Sequence, residues 1–239
     1  MPKRRRPAAA KRSERWLRVA VNEAPERLNE RVASTFRWDK SHQIRWLSPL
    51  ANDQFAEYYD QSFLDRLGLS ELRVPLGNFW PASGPRWDGL GKTESGKVIL
   101  VEAKAHIDEV VDFRSKASPE SLKQINRSLA QAKAGFAANV DAPWEAPFYQ
   151  YANRLAHLYF LAELNQVDAY LLFLSFADAP DVPEPCTVQQ WEGANRLSKR
   201  CLGLGTNRLT NRIGHLVWRV PDMLSNKALH QTGGFAARR

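Results

Sequence analysis

Two hydrophobic patterns alternate along the chain, the three-to-four-residue spacing of helices and the short apolar runs of strands. Helical spacing over residues 16–32 predicts helical pieces that are broken near Pro25. A further helix is predicted to begin at Ser48 and Pro49, which suit a cap and a first turn, and to end at Gly68. Later helices are predicted over residues 118–138, 148–164 and 188–201.

The apolar runs predict strands within residues 74–80, 86–90, 97–106, 169–177 and 215–220. The segment Gly91–Gly96 has the composition of a turn, so the second and third of these strands are predicted to form a hairpin. Residues 36–47 are rich in aromatic side chains and predict either a short hairpin or an irregular segment. This order of elements predicts an α/β fold with a central mixed β-sheet flanked by α-helices.

The domain organisation follows from length and composition. A chain of 239 residues, of which 44% are hydrophobic, is long enough for one sizeable core. We expect a single domain over residues 13–222, preceded by a disordered basic arm over residues 1–12. Residues 223–239 are expected to form a loosely ordered tail.

The formal net charge of +8 is concentrated at the two ends of the chain. Residues 1–18 hold eight basic side chains and one acidic side chain, and residues 181–239 hold nine and four. The middle of the chain is acidic, with 17 basic against 21 acidic residues. Basic ends of this kind favour non-specific binding to the phosphates of nucleic acids, although solubility alone would account for the same composition.

Several classes of protein are disfavoured by the sequence. The apolar runs are short and the basic N-terminus is not followed by an apolar segment, so neither a membrane span nor a secretory signal is expected. The two cysteines, Cys186 and Cys201, form no metal-binding spacing and no disulfide framework. We therefore expect a cytoplasmic protein without a membrane partner.

The most informative segment is the predicted strand 97–106. Alternation places Val98, Leu100, Glu102 and Lys104 on one face of this strand, so two opposite charges continue an apolar face. Charges at such a position need partners or a metal ion, because burying an unpaired charge is costly. Asp88 stands on the preceding arm of the predicted hairpin.

These residue types suit phosphodiester chemistry. Mg²⁺ is a hard cation that prefers oxygen ligands, and Asp88, Glu102 and the carbonyl oxygen of Ala103 would supply them. A bound metal would polarise a phosphate and lower the pKa of water. Lys104, on the face of Glu102, could orient or deprotonate a water molecule and balance negative charge.

With Asp88 on a hairpin arm, Glu102-Ala103-Lys104 on the next strand and helices on either side, residues 49–140 resemble the PD-(D/E)XK phosphodiesterases. The position before Asp88 is Trp87 where the motif has proline. The resemblance implies a restriction-endonuclease-like core and a metal-dependent nuclease that hydrolyses nucleic acid, DNA in preference to RNA. It also implies catalytic roles for Asp88, Glu102 and Lys104, with Mg²⁺, or Mn²⁺ as a substitute, held by the two carboxylates and Ala103.

The same resemblance implies contributions from the two flanking helices. An acidic residue of the preceding helix would be a further metal ligand, and both Glu57 and Asp60 are candidates. From the following helix, Gln124 would contact the nucleic acid, with Lys123 and Arg127 as further phosphate contacts. Cutting both strands of a duplex would favour a homodimer.

Other interpretations of the same residues stay open. Glu-x-Lys within a strand is also typical of a solvated or cross-strand ion pair, and the chain could be a catalytically inactive nucleic-acid-binding or scaffold protein on the same fold. Arg154 could reach a phosphate or could pair with an internal carboxylate. The basic residues of the C-terminal third could line a duplex groove or form a solvated face, namely Arg196, Lys199, Arg200, Arg208 and Arg212.

Overall fold

A five-stranded mixed sheet organises the chain in the computed structural model, which describes residues 10–39, 43–112, 115 and 117–231. The strands follow one another across the sheet in chain order, with β1 and β2 antiparallel, β2 and β3 antiparallel, and β3, β4 and β5 parallel. Their bounds are β1 Ile44–Ser48, β2 Gly89–Thr93, β3 Val98–Lys104, β4 Ala169–Ala177 and β5 Ile213–Arg219. The predicted α/β class with a central mixed sheet is confirmed.

Helices cover both faces of this sheet. Those described are α1 Arg12–Glu23, α2 Pro25–Phe36, α3 Gln61–Leu67, α4 Leu76–Phe79, α5 Pro119–Gly135, α6 Tyr149–Tyr159, α7 Val188–Cys201 and α8 Val220–Gln231. Helices α1 and α2 pack on one face of the sheet. Met223, near the start of α8, packs on the same face. Helices α3 to α6 pack on the other face, and α7 lies over β4 and β5 through Trp191.

The two faces of β3 follow the predicted alternation. Val98 and Leu100 belong to the cluster with α3, α5 and α6, whereas Ile99, Val101 and Ala103 belong to the cluster with α1 and α2. All five side chains are buried because β3 lies at the centre of the sheet. Glu102 and Lys104 therefore continue the face that α6 covers.

The helix predicted from Ser48 to Gly68 is wrong over most of its length. Ser48 ends β1, a single 3₁₀ turn covers Ala51–Asp53, and α3 begins only at Gln61. Gln54 and Phe55 adopt positive φ angles of 52° and 56°, which a right-handed helix cannot continue.

Two of the predicted strands differ from the structure. The segment predicted as a strand over 74–80 contains the short helix α4, whose backbone carbonyl groups accept hydrogen bonds from α5. The first hairpin strand is β2, shifted towards the turn, so that Gly91 lies in the strand. A Cβ at this position would lie 3.2 Å from the ring of Trp46 on β1, so this glycine serves close packing between strands and not a turn.

The remaining boundaries agree more closely with the predictions. Pro25 separates α1 from α2, and residues 36–47 contain the start of β1. After Tyr159, helix α6 continues as one wider π-helical turn over Phe160–Leu164.

The predicted terminal segments are covered only in part. Residues 1–9 of the predicted arm and 232–239 of the predicted tail lie outside the described residues, and the first part of that tail belongs to α8. No helix in the described part of the chain is long and apolar enough to cross a membrane.

Candidate active site

Asp88 lies immediately before β2, beside the end of β3. Its Oδ2 accepts a hydrogen bond of 2.8 Å from the backbone N–H of Ala103, which takes the place of a ladder hydrogen bond where β2 begins. The N–H and C=O groups of one strand residue point to the same side, so the carbonyl group of Ala103 is also directed towards Asp88. The hairpin thus brings Asp88 and the Ala103 backbone together, as the spacing in the sequence predicts.

Glu102 is a buried carboxylate held between two cations. Its side chain is 3% exposed, its Oε2 accepts a hydrogen bond of 2.6 Å from Nε of Arg154, and its Oε1 accepts one from Nζ of Lys104. The pair of Glu102 and Lys104 is therefore a largely buried ion pair within one strand, neither the solvated nor the cross-strand pair of the alternative interpretation. The predicted internal ion pair of Arg154 is confirmed.

Each of the three nitrogen atoms of the Arg154 guanidinium group donates a hydrogen bond. Besides its hydrogen bond to Glu102, Arg154 donates to the carbonyl oxygen of Arg86 at 2.8 Å and to Oδ1 of Asn153 at 2.9 Å. Its guanidinium carbon lies 4.8 Å from the centre of the Trp87 ring. Helix α6 places Arg154 opposite the hairpin, so this one side chain ties Glu102 of β3 to the segment that carries Asp88.

Burial and the neighbouring charges act differently on the two carboxyl groups. Burial, together with the negative charge of Glu102, raises the pKa of Asp88 to about 7. Burial alone would also raise the pKa of Glu102, but Arg154 and Lys104 hold it below its ordinary value. Burial would lower the pKa of Lys104, yet Glu102 and Asp88 raise it. At neutral pH the site therefore has an ionised Glu102, a charged Lys104 and an Asp88 that titrates.

Asp112 is a further carboxylate near this group. Both of its oxygen atoms accept hydrogen bonds of 2.9 Å from the backbone N–H of Gln150, in the first turn of α6. Burial raises the pKa of Asp112, and the charges of Lys104 and Glu102 also act on it. Asp112 therefore stabilises the start of the helix that carries Arg154 and contributes negative charge near Lys104.

Two cavities adjoin these residues. A small one of about 30 Å³ is lined by Glu102 and Lys104 together with Phe173, Ser175 and other residues of α6, β4 and α7. A wider one of about 620 Å³ lies between the loop 81–85 and the first turns of α5 and α6, with Asp112 and Asn153 in its wall. The end of β3 at Glu102 and Lys104 thus faces a cavity that holds about one or two water molecules, and the wider cavity reaches Asp112 without being lined by Glu102 or Lys104.

The donor atoms present fit a hard divalent cation. Asp88, Glu102 and the Ala103 carbonyl group offer only oxygen, and Oδ1 of Asp88 has no hydrogen-bond partner among the described residues. In the same part of the chain, no group of three or more His, Cys, Asp or Glu side chains is arranged to hold a metal ion. A metal between Asp88 and Glu102 would therefore have these two carboxylates, and Lys104 would have to leave Oε1 of Glu102.

The two candidates for a further carboxylate do not lie on a helix. An isolated antiparallel bridge between Tyr58 and Trp87 places Glu57 opposite Asp88 in register, and its role as a metal ligand stays a prediction. Asp60 accepts hydrogen bonds from the backbone N–H groups of Ser83 and Gly84, at 2.9 and 2.8 Å. Asp60 thus stabilises the loop 81–85.

The predicted nucleic-acid contacts of α5 lie apart from this group. Gln124 donates to the carbonyl oxygen of Gly77 at 2.7 Å, and Arg127 donates to that of Asn78 at 3.3 Å. With Lys123 they line an open groove beside α4. Their contacts explain the position of α4, and their binding to nucleic acid stays a prediction.

The sequence analysis assigned no role at the site to Asp112, and it left Arg154 open between two roles. Arg154 lies 52 residues from Glu102 in the chain, so no local motif joins them. The available signal was an arginine among the apolar residues of α6, where a buried charge requires a partner. No feature of the sequence identifies Asp112 as a residue of the site, because the loop after β3 has no regular pattern.

Comparison of the chain with protein-family models, with curated proteins and with solved structures gave no match. The geometry of the residues themselves is therefore the basis on which a function is assigned.

Proposed function

We propose that the protein is a metal-dependent nuclease with a restriction-endonuclease-like core, and that it hydrolyses phosphodiester bonds of DNA in preference to RNA. The observation that carries the proposal is the grouping of Asp88, Glu102 and Lys104 where β2 begins and β3 ends, beside a small cavity. Two carboxylates and a lysine on adjacent antiparallel strands are what the resemblance to PD-(D/E)XK phosphodiesterases implies. The helix that follows β3 and the parallel strand β4 also support it.

In this proposal Asp88, Glu102 and the Ala103 carbonyl group would hold Mg²⁺, with Mn²⁺ as a substitute. The chemistry that the ion supplies when bound is polarisation of the phosphate and a lower pKa for water. A cation near Asp88 would also offset the burial and the negative charge of Glu102 that raise the pKa of its carboxyl group.

The roles of the chain's own residues follow from their contacts. Arg154 holds Glu102 in one orientation through Oε2, so Oε1 stays directed towards Lys104. Once released from Oε1, the charged Nζ of Lys104 would orient the attacking water and stabilise negative charge on the phosphate. The water oxygen forms a bond to phosphorus, one P–O ester bond breaks, and the leaving oxygen takes a proton. The basic ends of the chain would raise affinity for the polyanion.

Cleavage of plasmid, linear duplex and single-stranded DNA, each with Mg²⁺, Mn²⁺ or EDTA, tests this proposal. Asp88→Asn keeps the shape of the side chain and an oxygen for the Ala103 N–H, and Lys104→Met keeps the length but removes the charge. We expect the rate of DNA cleavage to fall at least about 100-fold in both variants, which is the usual effect of removing a catalytic group. The matched control is Asp168→Asn, which removes a carboxylate paired with Lys97 and Arg212 outside the site. Cleavage that persists in EDTA, or in both variants, would refute the proposal.

A second function is favoured by one observation, namely that both oxygen atoms of Glu102 already accept hydrogen bonds from cationic side chains. A closed ion-pair group of this kind suits a nucleic-acid-binding or scaffold protein that uses the same fold without turnover. Such a protein would bind DNA with a strong dependence on salt, without a divalent metal and without product. Wild-type protein that binds but never cuts, in any of the metals above, would support this second function.

A further inference from the structure

A groove between α7 and β5 carries positive charge that the fold does not neutralise. It has a volume of about 360 Å³, and its polar lining consists of Glu192, Asn195, Arg196, Lys199 and His215. Neither Arg196 nor Lys199 forms an ion pair with any residue that the structure describes. By contrast, Arg208 pairs with Glu163 and Arg212 pairs with Asp168, each at 2.6 Å. Of the basic set of the C-terminal third, Arg208 and Arg212 are therefore paired, Arg196 and Lys199 are unpaired in this groove, and Arg200 lies outside the groove without an ion pair among the described residues.

Lys199 is exposed overall, but its neighbours remove part of its hydration without offering it a carboxylate. This partial desolvation lowers its pKa. Glu192 also lines the groove but pairs with neither cation in the structure. With His215 neutral, the groove keeps a net positive charge, and an anion seated there would offset the desolvation of Lys199.

His215 adds a hydrogen-bonding group that the fold leaves unused. Its Nε2 lies 3.0 Å from the hydroxyl oxygen of Tyr151, while its buried Nδ1 has no hydrogen-bond partner. Burial raises the pKa of Tyr151, so this hydroxyl keeps its proton and shares one hydrogen bond with Nε2. The direction of that bond depends on the tautomer of the ring, and Nδ1 is left unsatisfied in either tautomer.

The groove is continuous with the candidate active site. Glu102, Phe173 and His215 occupy the same row of the sheet on β3, β4 and β5, so His215 lies two strand spacings, about 10 Å, from Glu102. The ring of Phe173 stacks on that of Tyr151 and on that of His215, with ring centres 3.9 and 5.3 Å apart. Asn195 lines both the small cavity at Glu102 and Lys104 and the groove at Lys199.

We propose that the α7–β5 groove binds a backbone phosphate of a nucleic acid strand, held by Arg196 and Lys199, next to the phosphate that reaches Glu102 and Lys104. The inference rests on the proposed function for the identity of the ligand. The unpaired cations and the distance from Glu102 both suit a second phosphate of the same strand.

Binding of a labelled single-stranded DNA 12-mer in EDTA tests this inference without any cleavage. Affinity is measured by fluorescence anisotropy over a range of salt concentrations for wild type, Arg196→Gln and Lys199→Gln. We expect each variant to bind about 3- to 10-fold more weakly, with a slope of log affinity against log salt that is shallower by about 0.7. Lys199→Arg keeps the charge and should bind like wild type. The matched control is Arg208→Gln, which removes an exposed charge already paired with Glu163 and should change affinity less than twofold.

Three results would overturn the inference: no binding by wild type in EDTA, equal losses in Arg208→Gln and Lys199→Gln, or wild-type affinity in both groove variants. Inorganic phosphate that displaces the 12-mer better than chloride at equal ionic strength would make the groove a site for free phosphate instead. If wild-type protein binds DNA through Lys199 but never cuts it, the nuclease proposal is refuted and the inference about the groove stands. If wild-type protein cuts DNA and the groove variants bind it with unchanged affinity, the inference about the groove is refuted and the nuclease proposal stands.

Discussion

The buried charge of Glu102 is the feature on which the site depends at the scale of single residues. A carboxylate that is 2% exposed requires compensation, and Lys104 and Arg154 provide it from β3 and from α6. Removing either cation destabilises the fold because it leaves the buried charge of Glu102 with less compensation. Asp88, by contrast, accepts a hydrogen bond only from the Ala103 N–H among the described residues, and its carboxyl group is where a further cation would be accommodated.

Replacing Arg154 tests this compensation. Arg154→Met leaves Glu102 buried with Lys104 as its one cation, and we expect a loss of about 3–5 kcal/mol in the free energy of unfolding. The double variant Arg154→Met with Glu102→Gln removes both charges and should lose less than Arg154→Met alone. Urea unfolding of wild type, both single variants and the double variant gives the coupling energy. A double variant whose loss equals the sum of the single losses would show that the two residues do not interact.

The buried imidazole of His157 predicts a pH dependence of stability. Its ring lies among Phe63, Trp80 and Trp87, and its Nδ1 is 2.9 Å from the carbonyl oxygen of Asn153. Burial lowers the pKa of His157 to about 3 from an ordinary value of 6.5. Between these values the unfolded chain binds a proton that the folded chain does not, so this residue lowers stability as the pH falls below 6.5.

The variant His157→Phe should remove that contribution. Its free energy of unfolding should fall less steeply than that of wild type between pH 6 and pH 4, by about 1.4 kcal/mol for each pH unit. Urea unfolding at intervals of half a pH unit measures both slopes. Parallel curves for the two proteins would show that His157 is protonated in the folded state.

At the scale of elements, the site depends on how closely α5 and α6 pack over β3. Gly135, the last residue of α5, lies against the ring of Tyr159 at the end of α6, and a Cβ there would overlap that ring. Tyr159 is 8% exposed and stacks near Phe79 of α4. Helices α4, α5 and α6 are therefore fixed against one another by a glycine and two aromatic rings.

A pair of alanine substitutions tests this contact with opposite expected signs. Gly135→Ala should lower the free energy of unfolding by about 1–3 kcal/mol, because Tyr159 must shift. Gly193→Ala, within α7, meets no atom within 4 Å and should raise it by about 0.5–1 kcal/mol through helix propensity. Thermal and urea unfolding of both variants provide the comparison. Equal effects of the two substitutions would show that the packing of Tyr159 on Gly135 contributes nothing.

The elements that the sequence predicts well are those with a long, regular pattern. Alternation along β3 placed Glu102 and Lys104 on the correct face, and the spacing along α5 identified that helix. The segment 49–60 was mispredicted because Phe55 and Tyr58 match helical spacing while positive φ angles and the bridge to Trp87 hold the backbone extended. Such contacts join residues far apart in the chain, which a local pattern does not record.

At the scale of the whole molecule, the sheet gathers residues from distant parts of the chain along one row. The local part of the candidate site, Asp88 with Glu102 and Lys104, was predicted because a hairpin joins it. Arg154 lies on α6 and His215 on β5, far along the chain from the hairpin. Which residues they contact can be known only once the order of the strands is known. The acidic middle of the chain and its basic ends are consistent with a site that holds a cation and a surface that holds a polyanion.

Whether this site binds a divalent metal decides between a nuclease and a closed group of ion pairs. Titration with Mn²⁺, followed by the electron paramagnetic resonance signal of the free ion, measures it directly on wild type, Asp88→Asn, Lys104→Met and Asp168→Asn. We predict one bound Mn²⁺ per chain in wild type, its loss in Asp88→Asn, and its retention in Asp168→Asn. Lys104→Met should keep the metal, since Oε1 of Glu102 is then free, while losing cleavage. Wild-type protein that binds no Mn²⁺, or Asp88→Asn that binds it equally well, would contradict the account.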